Sequence, residues 1–182
     1  MGGDDLAVKV EDWNMEGFID SSLKVKNDFS WELTETPFKD LSLAFWWRNT
    51  SHPNEGRFNF KLRGKDKEIM SLMPTIYNPS FSFNGVGGFL GEYRKEYLPV
   101  DNKWHHLALT YDSYRYRWRF FFDGELWKEV PAMKLRPEAV LDELVIDTEN
   151  YPSDIDELKI WSGVLNKDAI LAEYESYSEY RN

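Results

Sequence analysis

The feature that most constrains the fold is an alternation of apolar and polar residues with a period of two. In segment 41–48, every second residue is large and apolar, namely Leu41, Leu43, Phe45 and Trp47. Because successive side chains of a β-strand point to opposite faces, this pattern predicts a strand with one apolar face. Segments 57–63 and 68–72 alternate in the same way around a turn at 64–66, which predicts a β-hairpin.

Similar short segments continue along the chain. Further strands are predicted at 80–83, 104–111, 116–122 and 158–161. Turn signals separate them, such as Asn78-Pro79, Asn84-Gly85 and Asp123-Gly124. Many short strands at close spacing predict an all-β fold, either a sandwich or a barrel.

One helix is predicted, near the C-terminus. Asn166 is a good N-cap, and Leu165 and Ile170 occupy the positions of a hydrophobic staple. Ile170 and Tyr174 then lie one turn apart on the same helix face. We therefore expect a short helix from about 167 to 176 that packs on the strands.

Length and charge limit the classes of function. A chain of 182 residues fits one domain, predicted over 1–182 with its core at about 10–178. The net charge of −10 disfavours nucleic acid as a partner, since a polyanion would be repelled. The chain has no cysteine, which excludes disulfides and thiolate metal sites. No segment approaches the run of about 18 apolar residues that spans a bilayer, so membrane insertion is not expected.

Several motifs resemble one known family. Segment 102–112 contains Trp104, His106 and Ala108 in a Trp-x-His-x-Ala pattern and ends in a Tyr-Asp turn, and a strand ending in Asp123-Gly124 follows it. The run 155–166 and the opening residues 13–22 match in the same order. Together these motifs resemble the laminin-G-like jelly rolls of the concanavalin A-like lectin/glucanase superfamily. The resemblance implies a two-sheet antiparallel jelly-roll sandwich with a short C-terminal helix.

The resemblance also implies a structural Ca²⁺ ion. Jelly rolls of this family often hold calcium where the N-terminal loop meets the closing strand. The aligned ligands are Asp20 and Asp156, with Glu16 and Asp154 as helpers. Carboxylate and carbonyl oxygens are the ligands that calcium prefers. The alternative is that Asp20 caps a turn and Asp156 is a solvated strand residue.

Two other motifs have simple structural interpretations. His105 and His106 are adjacent on a predicted strand, so they face opposite ways and are not expected to share a metal ion. Arg115, Arg117 and Arg119 alternate with aromatic residues. This pattern indicates a strand with a solvated basic face, a buried aromatic face, and acidic partners on neighbouring strands.

The glycine-rich segment 85–91 resembles a phosphate-binding loop only superficially. It lacks the Lys-Ser/Thr pair of a P-loop, and no helix pattern follows it. We therefore interpret it as a loop between strands.

Catalysis is not predicted. Glucanases of the superfamily carry an alternating Glu-x-Asp strand that supplies two carboxylates for glycoside hydrolysis. No segment of this chain has that pattern, and Glu143, Asp147 and Glu149 come closest with the wrong spacing. Because the superfamily contains both binding modules and hydrolases, the resemblance alone does not decide between them.

The aromatic content favours a carbohydrate-binding module. Aromatic residues make up 16% of the chain, more than a core of this size requires, and exposed rings stack on the apolar faces of sugars. The predicted ligand-binding residues are Trp46, Tyr77, Phe89, Tyr93 and Tyr97. The acidic net charge favours neutral sugars over sulfated ones.

Alternative explanations stay open at this point. Core packing explains Trp46 equally well as ligand binding. The alternative function is a structural or adhesive protein-interaction module. In either case the expected partner is a glycan or a cell-surface protein, and the expected setting is an extracellular or cell-surface module of a larger multidomain protein.

Overall fold

The structure is a computed structural model, and it describes residues 23–25, 29–37, 40–49, 59–64, 67–73, 80–83, 86–89, 101–131, 140–147, 153–161 and 163–177. These residues form twelve strands and one helix. The strands are β1 (Leu23–Val25), β2 (Phe29–Pro37), β3 (Leu41–Asn49), β4 (Asn59–Gly64), β5 (Lys67–Met73), β6 (Ser80–Phe83), β7 (Val86–Phe89), β8 (Trp104–Asp112), β9 (Arg117–Phe122), β10 (Glu125–Pro131), β11 (Val140–Asp147) and β12 (Ser153–Trp161). The helix is α1 (Lys167–Glu175).

The strands form two six-stranded sheets. The first sheet has the order β1-β12-β3-β8-β9-β10 and the second has the order β2-β11-β4-β5-β6-β7. Every neighbouring pair in both sheets is antiparallel. The two-sheet antiparallel sandwich with a short C-terminal helix is therefore confirmed.

The apolar faces of the two sheets form one core. Leu43, Phe45 and Trp47 of β3 are buried in the same cluster as Phe60 and Leu62 of β4. The rings of Phe45 and Phe60 stack with their centroids 5.5 Å apart, which joins the sheets directly. The alternation in segment 41–48 thus has the predicted cause, because Leu41, Leu43, Phe45 and Trp47 all lie in this core.

Helix α1 covers the outer face of the first sheet. Its residue Ile170 is fully buried against Ala44, Ala108 and Phe121, which form a second apolar cluster on that face. The Asn166 side chain accepts a hydrogen bond from the Ala169 backbone N–H at 2.8 Å, so the predicted N-cap is confirmed. Ser42, Ala44 and Trp46 of β3 are therefore buried, although they alternate with the residues of the main core.

The helix start is fixed by one hydroxyl of the sheet. Ser42 Oγ donates to the Gly163 carbonyl at 2.7 Å and accepts from the Leu165 N–H at 2.8 Å. Both bonds connect β3 to residues more than 120 positions later in the chain. Ser42 is fully buried, and these two bonds satisfy a polar group that would otherwise be costly to bury.

Some predicted boundaries are wrong. Segment 86–89, predicted to be part of a loop, forms strand β7 and pairs with β6. Tyr116, predicted to begin a strand, lies in a turn with φ of 52°. Among the described residues, no helix is long and apolar enough to cross a membrane.

Candidate functional site

The candidate site is the turn that joins β8 to β9, residues 112–117, which we call the hairpin tip. Tyr114 at its apex is 89% exposed, and Tyr116 is 38% exposed. Leu126 is the only other large hydrophobic residue exposed in the described part of the chain. The hairpin tip therefore presents two aromatic rings to solvent in a protein whose other described rings mostly pack in the core.

The backbone of the hairpin tip is held by two carboxylates. Asp112 Oδ1 accepts hydrogen bonds from the N–H groups of Tyr114 at 3.0 Å and Arg115 at 2.8 Å. Asp112 Oδ2 accepts from Arg115 Nη1 at 2.9 Å. Asp40, at the start of β3, accepts from the Ser113 N–H at 2.9 Å. The turn is therefore preformed, which reduces the entropy lost when a ligand binds.

These contacts also keep Asp112 ionised. Burial alone would raise the pKa of its carboxyl group, but the hydrogen bonds from the backbone and from Arg115 outweigh burial, and the pKa is lowered. The carboxylate therefore continues to hold the turn at moderately acidic pH.

Guanidinium groups flank the exposed rings. The side chains of Arg115 and Arg117 are each more than half exposed. A guanidinium group has five N–H donors in a fixed plane, and the ion pair with Asp112 leaves Arg115 with donors to spare. This combination suits carbohydrate binding. The aromatic ring can stack on the apolar face of a sugar, and the guanidinium N–H groups can donate to the hydroxyl groups of the sugar.

The basic stripe on β9 has the predicted acidic partner. Glu129 of β10 accepts hydrogen bonds from Arg117 Nη1 and from Arg119 Nε. Hydrogen bonds from Arg119 and Arg117 lower the pKa of Glu129. Trp118 and Phe120, which alternate with these arginines, are buried. The prediction of a solvated basic face opposite a buried aromatic face is confirmed for β9.

The positive and negative charges of this region are balanced. Its guanidinium groups belong to Arg115, Arg117 and Arg119, and its carboxylates to Asp40, Asp112 and Glu129. Arg115 pairs with Asp112, and Arg117 and Arg119 both pair with Glu129, so the guanidinium groups in and beside the hairpin tip are already neutralised by carboxylates.

Trp46 is not a surface residue. It is 1% exposed, and its ring lies against Tyr174 of α1 at 5.7 Å and His106 at 5.3 Å, measured between centroids. The prediction that Trp46 stacks on a ligand is corrected by this burial. The physical reason is helix α1, which covers the face of β3 on which Trp46 lies.

The other predicted ligand-binding residues are not brought together by the described part of the structure. Tyr77, Tyr93 and Tyr97 lie outside the described residues. Phe89 is the last residue of β7, and its side chain is also outside the described part. Ligand binding by these four residues therefore remains a prediction.

The predicted calcium ligands fall on β12 and on the opening segment. Asp154 and Asp156 are two residues apart on β12 and both are buried. Asp154 already has a cationic partner, because its Oδ2 accepts from Arg48 Nε at 2.9 Å and from Arg48 Nη2 at 2.6 Å. Asp20 and Glu16 lie outside the described residues.

Asp156 has a different environment from Asp154. Its Oδ1 accepts from the Glu157 N–H at 2.9 Å. No group of three metal-ligating side chains occurs among the residues that the structure describes. Calcium therefore stays a prediction, with Asp156 as its principal described ligand.

A half-buried polar cluster holds the end of α1 on β12. Lys159 Nζ donates to Glu173 Oε1 at 2.7 Å and to the Tyr177 hydroxyl oxygen at 2.6 Å. The Tyr177 hydroxyl in turn donates to Glu157 Oε2 at 2.7 Å. Burial of the phenol, together with this bond to Glu157, raises the pKa of Tyr177 to about 12. We call these four residues the helix clamp.

The two six-stranded sheets and the C-terminal helix define the class of this protein as an antiparallel β-sandwich. A family model described as the concanavalin A-like lectin/glucanases superfamily matches residues 21–171. The chain therefore belongs to this laminin-G-like family. No curated protein matches the sequence.

Several solved structures share the fold. The binding domain of botulinum neurotoxin serotype G superposes with a TM-score of 0.68 at 16% identity over 92% of this chain and 45% of that one. The binding domain of Paraclostridial Mosquitocidal Protein 1 gives 0.70 at 14% identity over 91% and 45%. The ligand-binding domain of botulinum neurotoxin serotype D, in complex with N-acetylneuraminic acid, gives 0.70 at 17% identity over 91% and 44%.

These similarities show the fold alone, because the sequence identities are low. The chain spans less than half the length of each of these binding domains.

Proposed function

We propose that this chain is a non-catalytic carbohydrate-binding module whose ligand stacks on the hairpin tip. The observation that carries the proposal is the ring of Tyr114, 89% exposed at the apex of a hydrogen-bonded turn. Covering the exposed ring with the apolar face of a ligand is favourable, and sugar recognition is a use that its chemistry suits.

The expected affinity follows from the size of the site. Stacking on one face of a tyrosine ring buries on the order of 100 Å² of apolar surface, worth about 2.5 kcal/mol at 25 cal/mol per Å². A weak single-site module binds with about −4 to −8 kcal/mol, which corresponds to millimolar to micromolar dissociation constants. Tyr114 therefore supplies a large part of the binding energy.

The paired charges in and beside the hairpin tip support a preference for neutral sugars. A sulfated or phosphorylated glycan would meet guanidinium groups that already pair with Asp112 and Glu129, on a chain with a net charge of −10. Such a ligand gains little from the paired guanidinium groups and is repelled by the rest of the molecule.

The structural neighbours support binding rather than catalysis. One binding domain of this fold is in complex with N-acetylneuraminic acid, and another, of botulinum neurotoxin DC, is in complex with rat synaptotagmin II. We therefore propose a glycan or a cell-surface protein as the partner class, an extracellular or cell-surface setting, and a place in a larger multidomain protein. A structural calcium ion at Asp156 belongs to the same proposal.

The test compares variants of Tyr114 in the hairpin tip with a variant of Leu126 in β10. Tyr114→Ala should abolish most of the binding to a neutral glycan found on an array, and Tyr114→Trp should retain it, since the flat ring persists. Leu126→Ala is the matched control, because Leu126 is an exposed apolar residue near the opposite end of β9, about 20 Å away. Calorimetric titration measures the affinities, and thermal melting confirms that each variant is folded.

The possible results separate the functions. Equal affinity of Tyr114→Ala and the wild type would place the sugar elsewhere. Binding of a protein but no glycan, lost with the same substitution, would favour the protein-interaction alternative. Release of reducing ends from a bound glycan would show a hydrolase.

A further inference from the structure

At the opposite end of the sandwich from the hairpin tip, one histidine lies between two carboxylates. His105 Nδ1 is 2.8 Å from Asp123 Oδ2, and His105 Nε2 is 3.2 Å from Asp101 Oδ1. The ring also stacks on Phe122 with the centroids 4.9 Å apart. Both ring nitrogens therefore face an acceptor, and the flat face of the ring is covered.

This geometry requires a protonated ring. A neutral imidazole has one N–H donor, whereas an imidazolium has two. Carboxylates that are ionised only accept hydrogen bonds, so the contacts to Asp101 and Asp123 can both be hydrogen bonds only when His105 carries a positive charge. Loss of the proton must break or weaken one of the two contacts.

The two aspartates belong to different connections of the first sheet. Asp101 lies before β8 and accepts from the Lys103 N–H at 3.0 Å. Asp123 lies in the β9–β10 turn, where its Oδ1 accepts from the His106 N–H at 2.9 Å. The charged ring thus joins the segment before β8 to the β9–β10 turn.

We propose that His105, bridged between Asp101 and Asp123, is a pH-sensitive latch that ties the β9–β10 turn to the segment before β8 while it is protonated and releases that link when it loses its proton. The next residue of the turn, Gly124, lies against Tyr174 and Leu171 of α1. Opening of the latch therefore loosens a turn on which the helix rests. The latch is independent of the proposed glycan site, which lies at the other end of β8.

The direction of the pH dependence follows from the surroundings of the ring. In the described part of the chain, the charged groups around it are Asp123 and Asp101, with Lys103 beside Asp101. Burial alone would lower the pKa of His105, but the hydrogen bonds and charges of Asp123 and Asp101 outweigh burial and raise it. Burial alone would raise the pKa of Asp101, but the hydrogen bonds and charges of Lys103 and His105 together outweigh burial and lower it.

A raised pKa means that the latch is fully closed below the ordinary histidine pKa of 6.5 and opens as the pH rises through the raised value. Between pH 6.5 and the raised pKa, the equilibrium constant for opening should increase about tenfold per pH unit, because the open form releases a proton that the closed form retains.

The test uses NMR on the full chain. The imidazole nitrogens of His105, assigned by their absence in His105→Phe, should titrate above pH 6.5, and Asp101→Asn should lower that titration midpoint. Glu175→Gln, which removes an exposed carboxylate at the end of α1, is the control and should leave the midpoint unchanged. Asp101 is at the surface, so this variant should fold even if changes at His105 prove disruptive.

Amide hydrogen exchange provides the second measurement. Protection of the amides of 123–125 should fall in the wild type as the pH rises, by up to tenfold per unit, and should show no such pH dependence in His105→Phe, which keeps the stacked ring but cannot be protonated. A His105 midpoint at or below 6.5, an unchanged midpoint in Asp101→Asn, or equal pH profiles of protection in the two proteins would each overturn the latch.

Discussion

Replacing Gly124 by alanine should loosen helix α1 from the sandwich. Gly124 has φ of 78°, a conformation that costs a residue with a Cβ about 1–2 kcal/mol. An added Cβ would lie 2.7 Å from Tyr174 Cδ1 and 3.0 Å from Leu171 Cδ1. Both distances are shorter than an ordinary van der Waals contact of about 3.5–4.0 Å, so the Tyr174 ring and the Leu171 side chain that pack α1 on this turn must shift.

The backbone strain and the clash with the side chains of α1 add. Overpacking of this kind costs about 1–3 kcal/mol, and the reduced freedom of the unfolded chain returns about 0.4–1 kcal/mol. The net loss of unfolding free energy is therefore about 1–4.6 kcal/mol. For a domain of this size, each kcal/mol lowers the melting temperature by about 2–4 °C. Urea denaturation followed by circular dichroism measures the free energy, and the thermal midpoint provides the second value.

A control variant and a double-mutant cycle separate the causes. Gly163→Ala adds a Cβ with no atom within 4 Å at a φ of 156°, so it reports backbone strain without a clash. In a Tyr174→Ala background, Gly124→Ala should keep its backbone cost and the contact with Leu171 but lose the larger clash with the Tyr174 ring, which makes the two substitutions coupled. A loss below about 0.5 kcal/mol, within the range of ordinary surface substitutions, or an equal cost in both backgrounds, would refute the reasoning.

Two further predictions concern bound calcium and the helix clamp. If Asp20 and Asp156 share a calcium ion, chelator should lower the melting temperature by several degrees, Ca²⁺ but not Mg²⁺ should restore it, and Asp156→Ala should remove the difference; identical melting curves with chelator and with calcium would exclude the ion. In a spectrophotometric titration, the phenol of Tyr177 should ionise only at about pH 12, and Tyr177→Phe should remove this late step. Ionisation of all tyrosines near pH 10 would show that the clamp does not form in solution.

The sequence patterns predicted strands whose large apolar residues lie on the face toward the main core. Segment 41–48 alternates because one side of β3 faces that core, and Leu107, Leu109 and Tyr111 of β8 lie in the same core. The Asn166 cap and the staple position of Ile170 likewise predicted α1 within one residue at each end. These are local signals, and they depend only on the faces of a single element.

Strand β10, which was not predicted, lacks such a signal. The run Glu125–Pro131 forms β10 at the edge of the first sheet, with a register shift between Leu126 and Lys128. Its residues are partly exposed on both faces, so alternation is absent from the sequence. Pairing with β9 decides the conformation there, and pairing is a long-range property that a local pattern does not contain.

The candidate site was missed for a related reason. Tyr116 follows the alternation of β9 and was therefore placed on its buried face, but the strand begins one residue later. The usable signal was Asp112, since an aspartate that bonds the N–H groups two and three residues on is typical of a turn. The burial of Trp46 could not be predicted from β3 alone, because the helix that covers it is more than 120 residues away in the sequence.

The positions of β11 and β12 inside the sheets also determine the order in which the chain can fold. β12 lies between β1 and β3, and β11 lies between β2 and β4, so the Arg48–Asp154 ion pair joins residues 106 positions apart. Such distant pairings make folding slow, in the range of milliseconds to seconds. During synthesis on a ribosome, β1 and β2 must wait without their described partners until the last strands emerge. A chain that stops after β10 would lose an interior strand from each sheet and expose strand edges that favour aggregation.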